Sequence, residues 1–160
     1  MPVVNRSGAA ALMVFLIVVF ATALIGSMFT VESVKTWYAA LNKPNWTPPS
    51  WLFGPVWTLL YFAIAVSGWL VWRERAQKNI LPAMVIYAVQ LVLNGLWSYL
   101  FFGLHNPGLA FVDIVALLLM IVLFIALSCK ISRIAAALWV PYLCWVGFAA
   151  VLNYTICALN

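Results

Sequence analysis

Apolar residues in this chain gather into long unbroken runs separated by short polar stretches, and five of the runs are long enough to cross a bilayer as helices. A hydrocarbon core of about 30 Å takes about 20 helical residues at 1.5 Å each. The pattern predicts spans over residues 9–29, 54–72, 80–103, 107–127 and 134–158. The first run has features of a cleaved signal, since Arg6 precedes it and Ala21, Thr22 and Ala23 imitate a cleavage site. Its apolarity continues to Phe29, past the about 7 to 15 residues of a signal's apolar region, so a retained first helix is expected.

The connections after the second, third and fourth runs are short, which makes successive helices antiparallel neighbours. Residues 30–53 are the exception. They carry Trp37, Tyr38, Leu41, Trp46 and Trp51, with prolines at 44, 48 and 49 that fix φ and reduce the entropy lost on ordering. The expected fold is an all-α membrane protein: one domain over residues 1–160, a five-transmembrane-helix bundle with a long ordered loop between its first two helices.

Composition removes the soluble alternative, because 68% of residues are apolar and 7% charged, whereas a soluble domain carries about 25% charged residues. The net charge of +5 then speaks to orientation rather than to nucleic acid. Arg6, Arg73, Arg75, Lys78, Lys130 and Arg133 fall on one side of a five-span topology, and Lys35 and Lys43 on the other. That places the N-terminus in the cytoplasm and the long loop outside, in a bacterial cell membrane. Cys129, Cys144 and Cys157 lack metal or redox spacing and read as apolar packing residues. No metal site is expected around the single His105.

Trp37, Trp51, Trp69 and Trp72 fall near span ends, where indoles favour the membrane interface. Trp57, Trp97 and Trp145 fall inside spans. Helix rise puts Trp57 about 5 to 9 Å below the outer surface, Trp97 about 9 Å, Asn94 about 13 Å, Ala149 about 13 Å and Trp145 about 20 Å. Trp57 and Tyr61 share a helix face, as do Gln90, Asn94 and Trp97, and as do Trp145, Ala149 and Leu152. Polar groups in hydrocarbon turn to partners or a cavity, so Gln90, Asn94 and Asn153 should face the interior. These faces outline a pocket beneath the loop. Asp113, the acid inside a span, is expected to bond to a neighbouring helix or loop, and Pro141 to kink the last span.

The stretches WYAALNKPNWTPPSWLFGPVWTLLY (37–61), QLVLNGLWSYLFF (90–102), GLAFVDIVALLL (108–119) and WVPYLCWVGFAAVLNY (139–154) resemble the TspO/MBR family, which joins bacterial tryptophan-rich sensory proteins and the mitochondrial translocator protein. The resemblance implies a five-helix bundle, commonly dimeric, whose pocket is closed by the first loop. It accepts porphyrins, haem-like tetrapyrroles and synthetic isoquinoline or benzodiazepine ligands. Carried over by motif, Trp57, Asn94, Trp145 and Ala149 would line that pocket with Trp46 in the lid; Tyr61 and Trp97 join them from the face analysis. The mammalian cholesterol pattern is incomplete, because Leu152-Asn153-Tyr154 is followed by no basic residue, so cholesterol binding by that route is not expected.

The leading expectation is therefore a sensory or regulatory membrane protein and homodimer that binds protoporphyrin IX or haem as ligand and requires no cofactor. Lys35 and Lys43 are candidates to meet propionates. The alternative is light- and oxygen-dependent porphyrin degradation, with Trp57 and Trp145 as redox-active groups. No carboxylate pair or activated nucleophile supports other catalysis. Porphyrin or sterol transport ranks below both, since matched repeats and paired ionisable groups are absent.

Overall fold

The computed structural model describes residues 6–160, with side chains from residue 8. In chain order its helices are α1 (Arg6–Lys35), α2 (Trp37–Ala40), α3 (Phe53–Arg73), α4 (Leu81–Ser98), α5 (Pro107–Cys129), α6 (Arg133–Ala137) and α7 (Val140–Leu159). Short 3-10 turns at Ser50–Leu52 and Glu74–Ala76 flank α3, and a π-helical turn at Tyr99–Gly103 closes α4. No strand occurs among the described residues. Five helical segments are long and apolar enough to cross a membrane, so the chain is an all-α, multi-pass membrane protein.

Local sequence explains the helix ends. Asn106 caps α5 by accepting from the Leu109 amide at 3.0 Å, ahead of Pro107 in the first turn, where a missing N–H costs nothing. Ser132 caps α6 in the same way, accepting from Ala135 at 3.3 Å. Helix α4 packs against α1 and α5, α5 against α7, and α1 against α3. The buried centre includes Ile64, Ala65, Tyr87, Phe124 and Trp139, with Phe124 and Trp139 stacked at 3.8 Å. Close approach at α3 requires Gly68, because a Cβ there would lie 2.7 Å from the Tyr87 ring and 2.9 Å from Phe15.

Four local expectations are corrected. Helix α1 continues to Lys35, since Ser27 and Thr30 return their hydroxyls to the carbonyls of Leu24 and Gly26 and no helix breaker follows until after Lys35. The connection of residues 30–53 is accordingly shorter and holds its own helix α2. The last span is broken rather than kinked: α6 stops before Leu138, and α7 restarts with Pro141 in its first turn. All three cysteines are exposed rather than packed inside, as an apolar thiol facing hydrocarbon permits.

Depth is the fourth difference from expectation. Asn42 is clasped to Asn160 at the end of α7, its N–H donating to Oδ1 at 3.0 Å while the Asn160 amide returns a 3.0 Å bond to the Asn42 carbonyl. Trp46 then meets Phe148, and Phe53 meets Trp145. The loop thus runs lengthwise along α7, a distance of about 22 Å for 15 residues. Helix α3 starts level with Trp145, not with the end of α7, so Trp57 and Trp145 are neighbours in height rather than separated by more than 10 Å.

Because Gly68 allows no added atom without moving aromatic rings, Gly68→Ala should destabilise the bundle by about 1 to 3 kcal/mol. Thermal unfolding of the purified protein in detergent should show this as a lowered midpoint.

Candidate functional site: an aromatic cavity between α3, α4, α5 and α7

A small cavity opens where four helices meet, lined by Trp57 from α3, Asn94 and Trp97 from α4, Ile114 and Leu117 from α5, and Val146 and Ala149 from α7. It is drawn tight, with ≈ 10 Å³ available to the centre of a water-sized sphere, about the room of one water. The walls are apolar except for the Asn94 carboxamide and the indole edges.

Hydrogen bonds fix the polar groups around it. Tyr61 donates to Asn94 Oδ1 at 2.7 Å, Asn94 Nδ2 donates to the Tyr142 hydroxyl at 2.9 Å, and Tyr142 donates to Gln90 Oε1 at 3.1 Å. Trp97 Nε1 donates to Asn153 Oδ1 at 3.0 Å, and Asn153 Nδ2 donates to the Pro107 carbonyl at 2.8 Å. Gln90, Asn94 and Asn153 are all buried, facing inward as the cost of polar groups in hydrocarbon requires. Trp57 stacks on Tyr61 at 5.3 Å and meets the Tyr142 ring edge-on at 6.2 Å.

The seven residues singled out in the sequence divide into three positions. Trp57, Asn94, Trp97 and Ala149 meet at the cavity wall. Tyr61 lies one layer behind, holding Asn94. Trp145 and Trp46 belong to a flanking column in which Trp46 of the loop meets Phe148, Phe148 meets Trp145 at 5.7 Å, and Trp145 meets Phe53. Neither of these two tryptophans lines the cavity. Tyr142, Ile114, Leu117 and Val146 complete the surroundings without having been selected from sequence.

Other candidates take structural places. Lys43 donates to the carbonyls of Tyr38 at 2.6 Å, Leu41 at 2.9 Å and Ala39 at 3.2 Å, so its ammonium closes the end of α2 and is not free to meet a propionate as expected. Tyr38 beneath it is buried, which pushes its hydroxyl above the ordinary tyrosine value. Lys35 remains exposed. His105 adopts φ 53° in the turn after α4, stacks on Trp37 at 4.4 Å and approaches Ser33 with Nε2 at 3.3 Å. Trp37 is therefore an anchor of the loop's first half rather than an interfacial indole. Asp113 is buried on α5, and its Oδ2 has no hydrogen-bond partner, contrary to the bond expected for it. Among the described residues no three His, Cys, Asp or Glu side chains gather into a possible metal site.

These features define a polytopic helical membrane protein with an aromatic interhelical cavity beneath a proline-rich loop. Residues 13–159 match the TspO/MBR family, and the chain belongs to that family. It is 46% identical over 145 residues to the tryptophan-rich protein TspO of Archaeoglobus fulgidus, covering 91% of this chain and 94% of that protein. It is 38% identical over 135 residues to the translocator protein of Homo sapiens, covering 82% and 79%. Protein CrtK of Rhodobacter capsulatus is 33% identical over 151 residues, covering 93% and 94%.

Asn153 joins α4, α5 and α7 through two bonds, so Asn153→Ala should cost about 1 kcal/mol. It should also shift Trp97 emission to the red as the indole N–H seeks a new partner. Unfolding and fluorescence of the variant against the parent check both effects.

Proposed function

We propose that the protein binds flat aromatic tetrapyrroles, protoporphyrin IX or haem, in the cavity between α3, α4, α5 and α7 and acts as a membrane sensor of them. The observation that carries this reading is the meeting of two indoles, Trp57 and Trp97, with the Asn94 carboxamide in an otherwise apolar cavity. A macrocycle gains from indole faces by stacking, about 0.5 to 1.5 kcal/mol for each aromatic pair beyond the area it buries. The carboxamide supplies the polar contact that fixes its orientation.

The cavity is too narrow for a tetrapyrrole in the present conformation, so entry requires the loop to lift and the helices to part. The loop is built for a hinged movement. Its first half is held by Trp37 on His105 and Phe101 and by Tyr38 on Phe102. Its second half rests through Trp46 on Phe148 and is tied down at Asn42. Lifting the segment from Asn42 to Pro49 exposes the Phe148, Trp145 and Phe53 column, along which a flat ring can slide toward Trp57. By the distribution of lysine and arginine, this mouth faces away from the cytoplasm. Association into a homodimer is part of the same proposal.

Titration of the purified chain with protoporphyrin IX should quench tryptophan emission saturably, and Trp57→Ala should weaken binding about 10-fold through loss of one large stacking surface. Unchanged affinity in Trp57→Ala and Trp97→Ala would place the ligand elsewhere. Asn160→Ala, which removes two of the three bonds holding Asn42 and leaves the longer one to the Leu159 carbonyl, should speed ligand association in stopped-flow quenching while leaving the bound spectrum unchanged.

A further inference from the structure

We infer that Gln90 and Tyr142, neither of which lines the cavity, set which hydrogen-bonding group Asn94 presents to a ligand. This rests on the cavity being the ligand site, and it names the chemistry the site selects: a flat aromatic molecule carrying a hydrogen-bond acceptor.

A carboxamide has one oxygen acceptor and two N–H donors, and a tyrosine hydroxyl has one donor. In the chain Tyr61 to Asn94 to Tyr142 to Gln90, every bond runs in one direction. Tyr61 engages Asn94 Oδ1, so that oxygen is not free to turn away. Tyr142 accepts one Asn94 N–H because its own hydrogen is committed to Gln90 Oε1. The second N–H of Asn94 Nδ2 is then the donor left for the cavity, and an acceptor on the ligand completes it.

Gln90 decides the direction. It is fully buried, 0% exposed, and its Nε2 has no partner. Turning its amide over would present Nε2 to Tyr142, drive the tyrosine hydrogen toward Asn94 and force the Asn94 amide to turn over as well. The same heavy atoms then offer the cavity the opposite face of the carboxamide. A relay of three bonds across α3, α4 and α7 thus has two senses, and a ligand's acceptor stabilises the one observed. Removing the far end at Gln90, or the middle at Tyr142, releases Asn94 from either sense without touching the cavity wall. Gln90 and Tyr142 are positioning residues.

The experiment has a ligand-free arm and a ligand arm. In the first, the unfolding midpoints of Tyr61→Phe, Gln90→Leu and the double variant form a cycle. Tyr61 and Gln90 are linked through Asn94 and Tyr142, so the shifts should be non-additive, and the non-additivity should vanish when Tyr142→Phe is present in all four proteins. Additive shifts would overturn the relay. In the second arm, fluorenone and fluorene, which differ by a carbonyl in place of CH2, compete with protoporphyrin IX. The parent should prefer fluorenone by about 5-fold, the worth of one hydrogen bond. Gln90→Leu and Tyr142→Phe should bring that ratio close to one while leaving fluorene affinity nearly unchanged. A ratio that stays at the parent value, or equal weakening of both probes, would reduce the two residues to packing and overturn the inference. A coupled cycle in a protein that binds neither protoporphyrin nor the probes would instead remove the ligand reading of the cavity.

Discussion

Hydrocarbon offers no water to satisfy a polar side chain, and that constraint organises this bundle. Asn94 is placed where three helices can reach it, so Tyr61 of α3 and Tyr142 of α7 must both turn to it or leave a buried group unpaired at a cost of about 1 to 3 kcal/mol. The consequence reaches beyond stability. Helices α3, α4 and α7 are held in one rotational setting, and that setting brings Trp57, Trp97 and Ala149 to a common wall. Asn153 repeats the device nearer the helix ends by tying Trp97 to the start of α5. The aromatic wall is therefore a by-product of polar groups finding one another in an apolar solvent.

The loop follows a different logic. Its tight half is secured by aromatic stacking and by the Lys43 cap. Its other half depends on one ring contact and the Asn42–Asn160 clasp. Prolines 44, 48 and 49 restrict that half, which turns at residues 45–46 where the Thr47 N–H donates to the Pro44 carbonyl at 3.0 Å, so it can move as a preformed strap. A narrow cavity beneath such a strap is consistent with a site that opens for a large planar ligand and closes when empty.

The spans, the inward-facing amides and the position of Trp57, Asn94, Trp97 and Ala149 at the cavity wall were legible because hydropathy and helical spacing act within single segments. Trp145 was assigned to the wall and stands beside it, since sequence places residues along a helix but leaves its rotation and height to its neighbours. Val146 and Ala149 carry the face of α7 that meets the cavity, whereas Trp145 lies one residue around the helix from Val146. The height of α3 was hidden for a related reason: a loop of given length can cross the end of a helix or run down its side. Only the pairing of Asn42 with Asn160 and of Phe53 with Trp145 distinguishes the two. Lys43 shows the limit of reading charge from sequence, because three backbone carbonyls claim an ammonium that looked available.

The central claim is that the space between Trp57, Asn94, Trp97 and Ala149 is where a planar ligand lodges, and an experimental structure of the full chain with protoporphyrin IX bound tests it most directly. The account predicts the macrocycle between α3, α4 and α7, in contact with Trp57 and Asn94, with residues 42–49 displaced from α7. A macrocycle held on the lipid-facing surface or on the outer loops, with the Tyr61, Asn94 and Tyr142 joint still closed over an empty cavity, would contradict it.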